Sequence, residues 1–183
     1  MAKTRSTPET IEVVFSAATI AERIDAMAQR IAQVGLDDLL VVAVLKGSFV
    51  FAADLLRALH RAGLAPQVDF LSLSSYRTAT VSSGSVEIVR DIEIDVAGRN
   101  VLIVDDILES GRTLAFAKDL IAARGAARVL TCVLLDKPVR RAAEIVADFR
   151  AFECPKVFVV GYGMDVAHRL RELPFVARVV RTP

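Results

Sequence analysis

The period of apolar and polar positions changes several times along the chain, and each change marks an element. Ile11 to Phe15 predicts a strand. Ile20, Ile24, Met27, Ile31 and Val34 then recur at spacings of three and four, the apolar stripe of an amphipathic helix. Ser16 or Thr19 caps its start, Thr19 also forming a capping box with Glu22, and Gly35 closes it. The run Leu39-Leu-Val-Val-Ala-Val-Leu45 is continuous rather than alternating and too short for a helix, so it predicts a strand buried on both faces. Val101 to Val104, Val129 to Leu135 and Val157 to Val160 read the same way. Between them lie helical stretches, Phe49 to Ala62 closed by Gly63 and Thr113 to Arg124 closed by Gly125.

Alternating strands and helices predict an α/β domain, a parallel sheet with helices on both faces. In such sheets ligands sit outside the carboxyl ends of the strands, near the point where strand order reverses, so chemistry is sought at strand ends. One segment breaks the rhythm. From Ser74 to Ser85 there are seven Ser or Thr residues, one Gly and no Pro, between the apolar Val68 to Leu73 and Val86 to Val89. This predicts a long polar hairpin loop, either a plain connection or a lid.

The 183 residues fit one domain, and 54% hydrophobic with 25% charged residues is a globular composition. Basic and acidic residues number 23 and 22, a balance that gives no footprint for nucleic acid and points to a small-molecule partner. The longest apolar run, Leu39 to Leu45, is far short of the roughly 20 residues a membrane span needs. The opening MAKTRSTPET has no apolar region after its two basic residues and does not read as a secretion signal, so a cytoplasmic location is expected. Cys132 and Cys154 lack CxxC spacing and read as buried reduced thiols. His60 and His168 fall in stretches expected to be helical, without a paired ligand, and take structural roles.

The sharpest local signal is Val101-Leu-Ile-Val-Asp-Asp-Ile-Leu-Glu-Ser-Gly-Arg-Thr113. An apolar strand ends in Asp105 and Asp106, which can accept hydrogen bonds from a vicinal diol. The following turn offers the Ser110 and Thr113 hydroxyls, backbone N–H groups and a helix N-terminus to a phosphate. Together they fit a ribose 5-phosphate. Either half alone also fits a solvated loop start or an ordinary helix cap. At the end of the first core strand, Lys46 supplies positive charge, Gly47 lets backbone approach closely and Ser48 can start a helix, a set that suits pyrophosphate but also occurs as a plain turn.

The joined pattern of four apolar residues, two acids, two apolar residues, an acid and then Ser-Gly-Arg-Thr resembles the phosphoribosyl pyrophosphate (PRPP) signature of the phosphoribosyltransferases. With Val44-Leu-Lys-Gly-Ser48 as the pyrophosphate loop, the resemblance runs from about Ile11 to Val180 and is to the hypoxanthine phosphoribosyltransferase family. It implies a type I phosphoribosyltransferase fold, a parallel core sheet flanked by helices, a small hood from the terminal segments and a mobile hairpin lid. The lid would carry Ser75 and Tyr76. Ser110, Gly111, Arg112 and Thr113, with Asp105 and Asp106, would hold the ribose and 5′-phosphate. Lys46, Gly47 and Arg171 would hold pyrophosphate, and Lys137, in Leu134-Leu-Asp-Lys-Pro138, would contact the purine 6-oxo group. Phe158, Val159 and Asp165 lie where the family stacks on and reads the base, Asp165 near a second magnesium; Asp105, Asp106 and Asp165 are thus the implied Mg²⁺ ligands. Lys137 could equally be a surface lysine and Phe158 a core residue. Still, an ammonium only donates hydrogen bonds, so it suits a 6-oxo acceptor and not the 6-amino group of adenine.

The implied reaction is transfer of the phosphoribosyl group from PRPP to hypoxanthine or guanine, releasing pyrophosphate, in a cytoplasmic homo-oligomer (dimer or tetramer). The chain departs from the commonest pattern in two acids: Asp105 stands where Glu is usual, and Glu109 where an Asp exchanges a proton with purine N7. Glu109, the implied catalytic residue, has the right chemistry and one extra methylene. Two rival readings are a xanthine-preferring transferase and a non-catalytic nucleotide-sensing regulator on the same fold.

Overall fold

The computed structural model describes residues 10–75, 86–139 and 141–180. Three helices and nine strands form among them: β1 (Thr10–Phe15), α1 (Ala17–Ala32), β2 (Leu39–Leu45), α2 (Phe49–Arg61), β3 (Gln67–Ser75), β4 (Val86–Arg90), β5 (Asn100–Leu108), α3 (Arg112–Ala123), β6 (Arg128–Asp136), β7 (Phe149–Glu153), β8 (Val159–Val160) and β9 (Val176–Val180). Ser16, rather than Thr19, caps α1, its Oγ accepting the Thr19 N–H at 3.2 Å. The helix ends at Ala32, a turn before Gly35.

Six strands make the main sheet in the order β4-β3-β2-β5-β6-β7. Five run parallel; β4 alone lies antiparallel, on β3. The core strands are parallel, as expected, and the sheet is mixed at one edge, where the expected hairpin returns β4 antiparallel on β3. Residues along β2 alternate between two cores. Val41 and Ala43 face α1 and α2, among Ile24, Phe51 and Leu55. Leu40, Val42 and Val44 face Leu114, Ala117 and Ile121 of α3. Burial on both faces explains the continuous apolar run.

Two expectations need correcting. Val157 to Val160 does not enter the parallel sheet: only Val159 and Val160 are strand, and they pair antiparallel with β9, which pairs in turn with β1. This three-stranded sheet, β1-β9-β8, joins the two terminal segments. The fifth parallel strand is β7. Its sequence, Phe-Arg-Ala-Phe-Glu, turns Arg150 and Glu153 to solvent at a sheet edge, so it lacks the continuous apolar run of the others. His168 lies in a turn at φ 65°, not in a helix, while His60 is in α2.

The order of strands reverses between β2 and β5: β3 lies on the outer side of β2, and β5, β6 and β7 follow on the other. A crevice at the carboxyl ends of β2 and β5 is what such a switch point produces.

Candidate active site

Strand β5 does not stop at the two carboxylates but carries them inside its last turn of pleat, running on to Leu108. Asp105 pairs in register with Val133 and is buried; Asp106 Oδ1 accepts the Ile107 N–H at 2.9 Å. Burial drives the Asp105 carboxyl well above the ordinary aspartate range, and the neighbouring Asp106 charge pushes it the same way. Asp106 is also raised by burial, opposed by hydrogen bonds and by the Arg171 guanidinium.

The Lys46-Gly47 turn at the end of β2 touches this pair. A Cβ on Gly47 would lie 1.8 Å from Asp106 Oδ2, so only glycine allows the contact. On its other side the Gly47 carbonyl packs against Gly163, whose own Cβ would lie 2.2 Å from that oxygen. The Leu45–Lys46 peptide is cis. Lys46 is exposed at the cleft, and Ser48 is buried, its Oγ donating back to the Val44 carbonyl instead of capping α2.

A cleft of about 590 Å³ opens over these strand ends. Lys46, Gly47, Asp106, Glu109, Lys137, Phe158, Val159, Asp165 and Arg171 all line it. Glu109 Oε1 lies 3.1 Å from Lys137 Nζ. Lys137 is only 8% exposed, so its charge is neutralised by Glu109 rather than by water. Phe158 is 58% exposed with its ring available to a ligand, not buried in the core. Asp165 accepts the His168 N–H at 2.7 Å and is paired with Arg171 at 2.7 Å; Arg171 also donates to the Gly163 carbonyl at 2.6 Å.

A smaller cup of about 80 Å³ lies beside the cleft, lined by Asp105, Glu109, Ser110, Gly111 and Thr113. Gly111 sits at φ 81°, and a Cβ there would meet Ile145 at 2.7 Å, so a side chain is excluded twice over. The cup opens on the N-terminus of α3, whose free N–H groups suit an oxyanion. Arg112 begins α3 with its side chain exposed, outside the lining of both cavities. A larger cavity of about 700 Å³ between α1, α2 and Leu173 is lined mainly by apolar groups and holds none of the strand-end carboxylates.

The implied lid falls partly outside view: Ser75 is the last residue of β3, opposite Val86, and Tyr76 lies outside the described residues. The cleft also includes Ser72, Leu73, Ser74, Val89, Ile107, Met164 and His168, none of which the motifs singled out. The β3 and β4 residues enter because Ser72 of β3 pairs opposite Leu45 at the end of β2, and β4 pairs with β3.

Magnesium fits the Asp105-Asp106 pair. These are hard oxygen donors whose mutual repulsion a dication would relieve, and Mg²⁺ needs only one or two carboxylates, taking the rest of its shell from water and substrate phosphates. Among the described residues no group of three or more His, Cys, Asp and Glu gathers. Asp165 is already committed to Arg171, and a cation there would compete with it.

The phosphoribosyl transferase domain model matches residues 14–167 of the chain. The chain belongs to the hypoxanthine phosphoribosyltransferase family. It is 38% identical to the hypoxanthine phosphoribosyltransferase of Escherichia coli strain K12 over 174 residues, 93% of this chain and 96% of that one. To the hypoxanthine-guanine phosphoribosyltransferase of Bacillus subtilis strain 168 it is 45% identical over 137 residues, 75% of this chain and 74% of that one. The solved structure of the Trypanosoma cruzi hypoxanthine phosphoribosyl transferase superposes with a TM-score of 0.89 at 35% identity, covering 96% of this chain and 94% of that one. Against this family, the type I α/β architecture is the expected one, with its mixed edge.

Proposed function

We propose that this phosphoribosyltransferase moves the 5-phosphoribosyl group from PRPP to hypoxanthine and guanine, giving IMP or GMP and pyrophosphate, a purine-salvage reaction. The observation that carries this reading is that one cleft holds both a lysine–carboxylate pair suited to a 6-oxopurine and a cationic turn beside the Asp105-Asp106 pair. Phosphate would occupy the cup at the α3 N-terminus, bound by backbone N–H groups and by Ser110 and Thr113, while Asp105 and Asp106 take the ribose hydroxyls. Arg112 is the weakest member of that set, being turned to solvent.

On the base side, Lys137 donates to the 6-oxo group and Phe158 stacks on the ring, with Val159 reading its edge through backbone groups. The base nitrogen forms its bond to C1 of the ribose as the bond from C1 to pyrophosphate oxygen breaks. Glu109 accepts the proton that the purine must lose from N7. On the leaving side Lys46 and Arg171 neutralise the departing charge, the Gly47 N–H approaching it without a side chain in the way. Asp105 and Asp106 would hold a magnesium ion, and Asp165 a second one in exchange for its pair with Arg171; the metal would supply Lewis-acid charge stabilisation. Ser75 and Tyr76 would close over the site and exclude water.

The whole chain would act as one domain, the three-stranded β1-β9-β8 sheet serving as the hood, in a cytoplasmic dimer or tetramer. No described helix is long and apolar enough to cross a membrane. The test is a steady-state assay of IMP formation from hypoxanthine, PRPP and Mg²⁺. Turnover that stops in excess chelator supports the reading; ligand binding without turnover would leave a nucleotide sensor instead.

A further inference from the structure

The last residue of β6, the loop after it and β7 contribute a charge cluster that the proposed reaction does not use. The Asp136 carboxylate, 5% exposed, is held by two guanidiniums: Arg141 at 2.6 Å on one oxygen and Arg150 at 2.9 Å on the other. Arg141 also donates from Nη1 to the Leu108 carbonyl at 3.3 Å, and the Lys137 N–H donates to that same carbonyl at 2.9 Å. Asp136 and Leu108 face each other in register at the ends of β6 and β5. They are the residues immediately before Lys137 and Glu109. The backbone beyond Arg141 continues the contact, Ala142 N–H donating to the Ser110 carbonyl at 2.8 Å and the Ala143 carbonyl lying against Gly111.

A side chain on a loop therefore ties together the two strand ends that carry the base-facing pair. A buried carboxylate bound by two guanidiniums is costly to leave half-satisfied, which makes the cluster stiff. A lone surface ion pair would hold nothing; here the carboxylate is buried and both strand ends are already in register. Stiffness matters where it is placed, since a displacement of about 1 Å in a reacting group can cost on the order of a hundredfold in rate.

We propose that Arg141, through Asp136 and the Leu108 carbonyl, is a positioning residue that sets the distance between Glu109 and Lys137. The inference rests on the reading of those two residues given above. Arg141's hydrogen bonds go to Asp136 and to the Leu108 carbonyl, so it acts through the backbones next to Lys137 and Glu109. Removing the guanidinium should loosen the pair; the aliphatic part of the side chain, whose Cδ lies near Gly111 of the cup, is kept in Arg141→Met, so PRPP binding should stay nearly unchanged.

The experiment measures kcat and both KM values for Arg141→Met, Arg141→Lys, Lys137→Met and the double variant Lys137→Met/Arg141→Met, each checked for native melting. Arg141→Met should lower kcat about tenfold and raise KM for hypoxanthine, with KM for PRPP within about twofold. Arg141→Lys should recover most of that loss, because it keeps a cation within reach of Asp136. In the Lys137→Met background, where there is no pair left to space, the added loss should shrink below about threefold. If Arg141→Met does not fold, Asp136→Asn takes its place in the same comparison. Equal losses with and without Lys137, or a loss confined to KM for PRPP, would overturn the proposal while leaving Lys137 and Glu109 in their roles. A costly Arg141→Met beside an innocuous Lys137→Met would overturn both the proposal and the reading of Lys137.

Discussion

Glu109 Oε1 and Lys137 Nζ lie 3.1 Å apart, an acceptor and a donor facing each other across the floor of the cleft. A 6-oxopurine offers the complementary pair, an acceptor at the 6-oxo group and a proton at N7. Binding of the base can thus replace one ion pair with two hydrogen bonds and leave neither partner unmatched. A 6-amino purine would leave Lys137 facing a donor, which a buried ammonium tolerates poorly.

Glu109→Gln keeps size and hydrogen bonding but cannot accept a proton. Its kcat should fall about a hundredfold or more, with both KM values close to the parent's. Glu109→Asp shortens the side chain by one methylene, which opens the contact with Lys137; its kcat should fall about tenfold. An Asp variant faster than the parent would mean that the backbone of this chain is not fitted to the longer acid.

Lys137→Ala removes the proposed donor to the 6-oxo group and leaves Lys46 and Arg171 in place. KM for hypoxanthine should rise by tenfold or more and KM for PRPP by less than about twofold, the difference expected when only one of two substrates loses a contact. A rise in KM for PRPP instead would place Lys137 on the wrong side of the cleft.

Asp105, buried, and Asp106, half-buried beside it, make a stability prediction whose sign follows from their raised folded-state pKa values. Between the ordinary aspartate range and the raised value, the folded chain binds more protons than the unfolded one. Stability therefore falls as pH rises through that window and stays lower above it. Asp105→Asn removes the cost, and its Oδ1 can still accept the Asp106 N–H that Asp105 accepts at 3.0 Å. Without divalent cation or PRPP, the variant should melt higher than the parent at pH 7, by about 2–4 °C for each kcal/mol of burial and repulsion cost relieved. The gain should shrink as pH falls toward 4, and PRPP binding should be lost with it. Lower melting at pH 7 would mean the pair is not under strain in the free protein.

Gly47→Ala places a methyl group in the space occupied by the Asp106 carboxylate, with an ideal Cβ 1.8 Å from Oδ2. Either the turn or the carboxylate must move, and both border the pyrophosphate side. KM for PRPP should rise by tenfold or more while the melting temperature shifts little, because Gly47 lies at the cleft rather than in either core. Unchanged PRPP kinetics would show the turn to be only a connection.

Much of this arrangement is legible in the chain. Leu39 to Leu45 announces a strand buried on both faces, and the Ser110-Gly-Arg-Thr113 turn falls at the start of α3 where the phosphate motif requires it. Elements whose neighbours decide their shape are harder to read. Val157 to Val160 is as apolar as a core strand, yet turns through Gly161 and Gly163 send it to the β1-β9-β8 sheet. β7 is half polar because it is an edge, and β5 runs past Asp105 and Asp106 because buried carboxylates can sit in a strand when a neighbouring ladder satisfies the backbone. The Asp136–Arg141–Arg150 cluster has no motif; its members come together only when β6 and β7 pair. Tyr76 lies beyond the described residues, so the lid reading rests on the family resemblance.

The most direct measurement is a panel of free bases, hypoxanthine, guanine, xanthine and adenine, each incubated with PRPP, Mg²⁺ and the protein while nucleotide formation is followed. IMP and GMP should form at rates at least a hundredfold above any AMP, since Lys137 and Glu109 match only a 6-oxopurine. Adenine used as well as hypoxanthine, or no nucleotide from any base, would contradict the account.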